Sequence, residues 1–285
     1  MSETPFYFPR DDARLFGLLH RPDGTASRTG FVLSHPFAEE KLWSHRSFVS
    51  AARALAAAGH PVLRFDYTGA GDSSGYAPDT SLETHLADLA AATRALAAQV
   101  PGLDRIGLIG LRFGATLAAL TMERAADPAT GSTLPAALRT GPLVLWDPIL
   151  DGAAWLQDVM RADLAAQLAS LGKVVHTREA LTARVLAGGI VNIDGYELGR
   201  DLFASCDRKD LLDATAKRHA GPVLVVPIAP PGKLKPRADL EALAGSYARA
   251  TVRPAEEQPF WREIKQFYGK APALQALTLE WLASA

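Results

Sequence analysis

The chain of 285 residues contains a single cysteine, Cys206, no long apolar run and no excess of either charge. One cysteine excludes an intramolecular disulfide framework and favours a reducing compartment. Thirty basic and thirty-one acidic residues give a net charge of −1, which excludes a global electrostatic attraction to nucleic acid or to an anionic membrane. Because no apolar run approaches the roughly 20 residues of a membrane-spanning helix, we expect no membrane insertion and a cytoplasmic location.

The sequence also lacks reactive groups where its own patterns predict them. Residues 105–120, "RIGLIGLRFGATLAAL", predict a buried strand, a tight glycine turn and a helix. The turn has the frame G-x-S-x-G, which presents a nucleophilic serine in many hydrolases, but Arg112 stands at the serine position. No cluster of His, Cys or Asp has the spacing of metal ligands, so we expect neither a metal nor a cofactor.

Strand-like runs alternate with helical stretches along the chain, which predicts an α/β fold. Four of these runs, which start at Phe31, Val62, Ile106 and Leu143, are continuously apolar, as expected for parallel strands that are covered on both faces. The stretches between them have apolar residues at helical spacing and predict crossover helices. In full, the strand-like runs cover residues 14–21, 29–36, 61–67, 104–110, 142–148, 222–228 and 247–254.

The alternation stops between residues 151 and 216. This segment is predicted to be helical, with loops around residues 188–199. An insertion at this point would lie above the carboxyl ends of the strands, where open α/β sheets bind their ligands. We therefore predict a core domain of residues 1–150 and 217–285, and a helical cap of residues 151–216.

Three stretches of sequence carry a family resemblance: "HPFAEEK" (35–41), "FDYTGAGDSSG" (65–75) and "GLRFGATLA" (110–118). Together they resemble exosortase A system-associated hydrolase 2, in the serine aminopeptidase-like group of the α/β-hydrolase superfamily. The resemblance covers nearly the whole chain. It implies an α/β-hydrolase fold: a mainly parallel eight-stranded sheet with crossover helices and a helical cap inserted after strand six. The family name implies hydrolysis, but a shared fold does not establish a shared chemistry.

In this fold the acid and the histidine of the catalytic triad follow the nucleophile, after strands seven and eight. After strand seven the sequence has Pro-Pro-Gly at residues 230–232, and the later Asp239 is expected to interact with the N-terminus of a helix. No histidine follows His219, and the expected histidine loop reads "EEQPFWREI" (256–264). We expect Trp261 to fill the space of the missing base. The sequence therefore predicts that all three triad members are absent.

In this fold the nucleophile position lies on the turn between strand five and the next helix, called the elbow. A side chain at this position points into the pocket beneath the cap, so we expect Arg112 to be enclosed. A lone buried guanidinium is costly and needs a partner. We favour Glu39 over Glu40 as that partner, because the loop after the third strand borders the elbow in this fold. Asp147 and Asp151 are second candidates. In this first interpretation, an internal ion pair fills the pocket in which an active hydrolase would bind its substrate.

Two other interpretations remain open at the level of sequence. The guanidinium of Arg112 could bind a ligand carboxylate or phosphate, supported by the amides of Phe113 and Gly114. Alternatively, His35 and the neighbouring carboxylates could perform acid–base catalysis on a substrate that Arg112 orients.

We therefore expect a non-hydrolytic pseudo-hydrolase that binds a small carboxylate, phosphate or acyl ligand, or a protein partner. The alternative is a genuine hydrolase or acyl transferase with a non-standard site around Arg112, His35 and Glu39 or Glu40. The candidate ligand-binding residues are Arg112, Phe113, His35, Phe37, Glu39, Glu40, Asp147 and Trp261.

Overall fold

A twisted sheet with two antiparallel strands at one edge and parallel strands elsewhere forms the centre of the molecule. The computed structural model describes residues 1–262 and 270–285. The strands of these residues are β1 Ser2–Arg10, β2 Ala13–Arg21, β3 Thr29–Ser34, β4 Val62–Phe65, β5 Arg105–Leu111, β6 Leu143–Trp146, β7 Val191–Ile193, β8 Tyr196–Leu198, β9 Val223–Val226, β10 Ile228–Ala229, β11 Ala250–Val252 and β12 Ala255–Glu256. Among the described residues, eight strands join in the order β1-β2-β4-β3-β5-β6-β9-β11.

Helices cover both faces of this sheet. The described helices are α1 Ala38–Ala57, α2 Leu82–Gln99, α3 Phe113–Ala126, α4 Gly152–Leu171, α5 Arg178–Leu186, α6 Arg200–Cys206, α7 Ala238–Gly245 and α8 Pro272–Leu282. Helices α1 and α8 pack on one face of the central strands, and α2 and α3 pack on the other. This arrangement explains the continuously apolar strands, because each side chain of β3, β5, β6 and β9 meets a helix or a neighbouring strand.

The predicted α/β-hydrolase fold is confirmed by the eight-stranded, mainly parallel sheet and its helices. One of its strands, β1, was not recognised among the strand-like runs. It pairs antiparallel with β2 through a turn at Asp11 and Asp12, and most of its side chains are exposed. Pro5 and Pro9 lie within it, as expected of an edge strand. An exposed strand interrupted by prolines gives no apolar run, which is why the sequence pattern missed it.

The segment between β6 and β9 contains α4, α5, the hairpin β7–β8 and α6. The expectation of loops around residues 188–199 was wrong for the hairpin. Its turn is Asp194-Gly195, with positive φ angles of 51° and 89°, and Asp-Gly between β-favouring residues is a strong hairpin signal. The division into a core and a separate cap domain at residues 151–216 stays a prediction. No described helix combines the length and the hydrophobicity that a membrane crossing requires.

Candidate functional site

The turn between β5 and α3, residues 110–114, is a strained elbow. Arg112 has φ 54° and ψ −122°, a conformation that costs a non-glycine residue on the order of 1–3 kcal/mol. The two flanking glycines are required by close approach. A Cβ atom on Gly110 would lie 2.4 Å from the carbonyl oxygen of Gly114, and one on Gly114 would meet the carbonyl oxygen of Ser34. The elbow frame is therefore intact around the arginine.

Two carboxylates hold the guanidinium of Arg112. Its Nε donates to Oε1 of Glu40 over 3.2 Å, and its Nη1 donates to Oδ2 of Asp147 over 3.0 Å. The arginine side chain is only 13% exposed. The guanidinium carbon also lies 5.5 Å from the ring centroid of Trp261, a distance at which an aromatic face attracts a cation. The positive charge at the elbow is thus compensated from within the chain.

Asp147 connects this arginine to a second one. It follows β6 in a left-handed conformation with φ 45°, and its side chain is 8% exposed. While Oδ2 accepts from Arg112, Oδ1 accepts from Nη1 of Arg237 over 3.2 Å. Arg237 is held in turn by two hydrogen bonds to Asp239. We call Glu40, Arg112, Asp147 and Arg237 the elbow ion cluster.

Glu40 is the less completely bonded carboxylate of the elbow ion cluster. It lies in the first turn of α1, and its Oε2 is buried and has no hydrogen-bond partner among the described residues. Burial raises the pKa of Glu40 above its ordinary value, against the lowering effect of the Arg112 charge. The ionised form of Glu40 is therefore less favoured than that of an exposed glutamate.

A cavity of about 340 Å³ lies beside the elbow. Its wall includes residues at the ends of β3 and β4, in α1, in α2 and at the start of α3, among them His35, Phe37, Lys41, Tyr67, His85 and Phe113. The hairpin β7–β8 contributes Tyr196 and Glu197. We call this space the side cavity. Phe113 is stacked on Trp155, with ring centroids 4.6 Å apart, so the wall next to the elbow is aromatic.

Burial controls the titratable groups of the side cavity. Desolvation, and then the charge of Lys41, lower the pKa of His35 to about 3. Desolvation also lowers the pKa of His85 and raises that of Tyr67. Both imidazoles are therefore neutral at physiological pH. At the mouth, burial and the charge of Glu39 raise the pKa of Tyr196 to about 12.

The serine nearest to the elbow already has structural partners. Ser34 Oγ donates to the carbonyl oxygen of Gly114 over 2.7 Å. The hydroxyl of Tyr67 lies 2.6 Å from the same Oγ, and since Oγ gives its only proton to Gly114, Tyr67 is the donor. Ser73 donates to the carbonyl oxygen of Asp66 and accepts from the amide of Phe16. Neither serine hydroxyl is hydrogen-bonded to an imidazole.

A comparison with known protein families shows which family has this elbow frame. A model of the family described as "Serine aminopeptidase, S33" matches residues 27–186, which is more than half of the 285 residues and includes the elbow. The chain belongs to the serine aminopeptidase S33 family. No curated protein sequence matches it.

Solved structures that resemble this S33 family member include esterases and a peptidase. Est1E from Butyrivibrio proteoclasticus, bound to ferulic acid, is 17% identical with a TM-score of 0.66, and the match covers 98% of both chains. Proline iminopeptidase from Mycobacterium smegmatis is 14% identical with a TM-score of 0.60, covering 99% of this chain and 98% of that one. An esterase from Pyrococcus furiosus is 17% identical with a TM-score of 0.59, covering 99% and 91%. At these identities the likeness shows the fold alone.

The structure separates the candidate residues of the S33 chain into two groups. Glu40, Arg112, Asp147 and Trp261 meet at the elbow, and within the described residues none of these four lines the side cavity. His35, Phe37 and Phe113 line the side cavity instead. Ligand contact by any of these residues stays a prediction.

The expected partner of Arg112 was wrong in one respect. Glu40 binds the guanidinium, whereas Glu39 interacts with Tyr196 and helps to raise the pKa of its hydroxyl. Both glutamates belong to the first turn of α1, where consecutive side chains point about 100° apart, so only one of them faces the elbow. Asp151 is not a partner either, because it caps α4 by accepting from the amide of Ala154.

The sequence analysis missed several residues that surround the elbow and the side cavity. Arg237 has no motif around it, and the only signal was its position after strand seven, in the region where a triad acid was sought. His85 lies in the first turns of α2, which Ser81 caps by accepting from the amide of Thr84, and no motif marks it as a cavity residue. Tyr196 lies in the unrecognised hairpin. Within residues 1–262 and 270–285, no three His, Cys, Asp or Glu side chains are placed to hold a metal ion.

Proposed function

We propose that this S33 family member is a non-hydrolytic α/β-hydrolase-fold protein that binds a small ligand in the side cavity. One observation carries the proposal: the residue at the elbow is Arg112, and Glu40 and Asp147 bind its guanidinium. A guanidinium stays protonated at any working pH and has no lone pair for attack on a carbonyl. Its ion pairs also keep it from turning towards a substrate.

The surroundings of Arg112 support the absence of a proton relay. Where this fold places the histidine after strand eight, Trp261 packs against the guanidinium. Where it places the acid after strand seven, residues 230–232 are Pro-Pro-Gly, and Arg237 reaches the elbow from beyond them. Loss of the whole triad costs a serine hydrolase on the order of a million-fold in turnover.

The binding part of the proposal depends on the side cavity. A volume of about 340 Å³ falls in the range of small-molecule sites, which are mostly apolar with a few convergent polar groups. Phe37, Phe113 and Leu117 supply apolar surface, and His35 and His85 supply polar atoms. The finer assignment we propose, from the three sequence motifs, is a protein related to exosortase A system-associated hydrolase 2, with Arg112 in place of the nucleophile.

Hydrolysis through His35 and a glutamate has less support. His35 Nδ1 is bonded to the carbonyl oxygen of Pro36, and Nε2 has no hydrogen-bond partner among the described residues. Glu40 is bonded to Arg112, and Glu39 interacts with Tyr196. No activated nucleophile therefore stands beside this imidazole.

Hydrolysis of p-nitrophenyl butyrate by the purified protein and by Arg112→Ser tests the proposal. We expect no rate above buffer for the wild type, and none for Arg112→Ser, because a restored hydroxyl still has no imidazole to deprotonate it. Arg161→Ser, a change at an exposed arginine of α4, controls for handling. Wild-type turnover that scales with protein concentration and is lost in His35→Phe would overturn the proposal.

A further inference from the structure

The protonation of His35 can be read from its hydrogen bond. Its Nδ1 lies 2.7 Å from the carbonyl oxygen of Pro36. A carbonyl oxygen only accepts, so Nδ1 carries the proton, and the other nitrogen of the neutral ring carries a lone pair. That nitrogen, Nε2, is buried and has no partner among the described residues. His35, which lines the side cavity, therefore has a buried acceptor that no described group uses.

His85 has the same tautomer for the same reason. Its Nδ1 lies 2.8 Å from the carbonyl oxygen of Ser81, so Nε2 is again the acceptor. The two rings lie on either side of Tyr67, at centroid distances of 4.9 Å from His35 and 5.1 Å from His85. His85 also packs against Phe113. Two imidazoles with fixed tautomers thus belong to one aromatic wall.

Both rings stay neutral, because burial disfavours their protonated forms. Each Nε2 is consequently an acceptor and not a donor throughout the physiological pH range. A ligand that satisfies it must bring an O–H or N–H group. A buried acceptor that stays unpaired lowers the free energy gained on binding.

The cations near the side cavity are already compensated. Among its described lining residues, Lys41 is the only lysine or arginine, and its Nζ is bonded to Oδ1 of Asp66 over 2.6 Å. The nearby Arg112 belongs to the elbow ion cluster. Glu197 adds a negative charge at the hairpin side of the wall. A ligand carboxylate or phosphate in the side cavity would therefore find both nearby cations, Lys41 and Arg112, already paired with carboxylates of the chain.

From these observations we infer that the side cavity selects an apolar molecule with a neutral hydroxyl group, which donates to Nε2 of His35 or His85. The inference rests on the proposed binding function and narrows it. It favours alcohols over the carboxylate and phosphate ligands that the sequence suggested, because both neutral imidazoles belong to residues that line the cavity, while Lys41 and Arg112 are bound by carboxylates of the chain.

Isothermal titration calorimetry with three probes of equal chain size tests the inference. 1-Octanol and 1-methoxyheptane have the same composition and differ in the hydroxyl proton, and octanoate replaces the hydroxyl with a charge. We expect 1-octanol to bind about tenfold more tightly than the ether, because only the alcohol can satisfy an imidazole acceptor. We expect octanoate to bind more weakly than 1-octanol.

Variants of the two cavity histidines test which groups cause the preference for the alcohol over the ether. In the double variant His35→Phe, His85→Phe, the acceptors are replaced by rings of similar shape, and the ratio of alcohol to ether affinity should fall to about one. His60→Phe is the matched control, because His60 lies outside the side cavity and bonds the carbonyl oxygen of Thr29. Its ratio should equal that of the wild type. The wild-type ratio stands as a test even if the double variant does not fold.

The outcomes separate the two proposals. Equal binding of 1-octanol and 1-methoxyheptane, or tightest binding of octanoate, overturns the hydroxyl preference and leaves the binding function in place. An alcohol preference that survives in the folded double variant also overturns it. Binding of none of the three probes overturns both the hydroxyl preference and the proposal that the side cavity is a binding site.

Discussion

The elbow ion cluster and the side cavity share a boundary at residues 112 and 113 but are built in opposite ways. Arg112 turns to one side, where it donates charge-assisted hydrogen bonds to Glu40 and Asp147, and Asp147 accepts a further one from Arg237. Phe113 turns to the other side, where it lines an open aromatic space. The strained elbow is thus retained while the group that it presents is bound by its own chain. The comparison teaches that the backbone frame of an elbow can persist beside a cavity when the side chain at its tip is bound by carboxylates of the same chain.

Removing the bridging charge of the elbow ion cluster should have the largest effect. We expect Asp147→Asn to lower the free energy of unfolding by about 3 kcal/mol, because it removes a charged partner from the enclosed Arg112, whose side chain is 13% exposed, and from the more exposed Arg237. Asparagine tolerates the left-handed conformation of this position, so the loss reports charge and not backbone strain. Urea unfolding of the wild type and of Asp147→Asn measures this loss of unfolding free energy.

Asp239→Asn is the matched control for that measurement. Asp239 binds the same Arg237, but its side chain is 49% exposed, and exposed ion pairs contribute about 1 kcal/mol or less. An equal loss in Asp147→Asn and Asp239→Asn would mean that enclosure of the elbow ion cluster has no energetic consequence.

The side cavity should respond to pH through His35. Its pKa is about 3 in the folded chain, against an ordinary value of 6.5. Below pH 6.5 the unfolded chain binds a proton at His35 that the folded chain does not bind. The contribution of His35 to the free energy of unfolding is therefore fully present above pH 6.5 and is lost as the pH falls towards 3. By pH 5 this amounts to about 2 kcal/mol. We expect His35→Phe to reduce the stability difference between pH 7 and pH 5 by about that much.

A change in packing alone should not alter this pH dependence. Phe37→Leu perturbs the same cavity without removing a titratable group, so chemical unfolding at the two pH values should give the wild-type difference. If His35→Phe also keeps the full wild-type difference, His35 is not the buried neutral base described here.

The smallest effect is expected at the second carboxylate of Arg112. Glu40 uses one oxygen, and burial raises its pKa, so Glu40→Gln keeps the acceptor for Arg112 Nε and removes a weakly favoured charge. The free energy of unfolding should change by less than about 1 kcal/mol. A loss as large as that of Asp147→Asn would identify Glu40, and not Asp147, as the main counter-charge.

Much of the fold could be predicted because its signals are local. Continuous apolar runs marked β3 to β6, and apolar residues at helical spacing marked the crossover helices α1, α2 and α3 between them. Strand β1 and the hairpin β7–β8 were missed. Neither has a long apolar run, although the Asp-Gly turn of the hairpin was a usable signal.

The candidate site could be predicted only in part, because its contacts are set by tertiary geometry. The sequence identified an arginine at the elbow that requires a carboxylate, and it named Glu40 and Asp147 among the candidates. It ranked Glu39 above Glu40 wrongly, since the correct order depends on where the first turn of α1 begins. It could not find Arg237, because the contact with Asp147 joins residues 90 positions apart. The tautomers of the cavity histidines likewise depend on backbone carbonyls that no motif identifies.

Intact-protein mass spectrometry after incubation with a fluorophosphonate tests the central claim most directly, because the reagent modifies serines that an enzyme has activated. With a known serine esterase labelled in the same reaction mixture, we predict that the mass of this chain stays unchanged. A single stoichiometric adduct on a serine such as Ser34 or Ser73 would contradict the account.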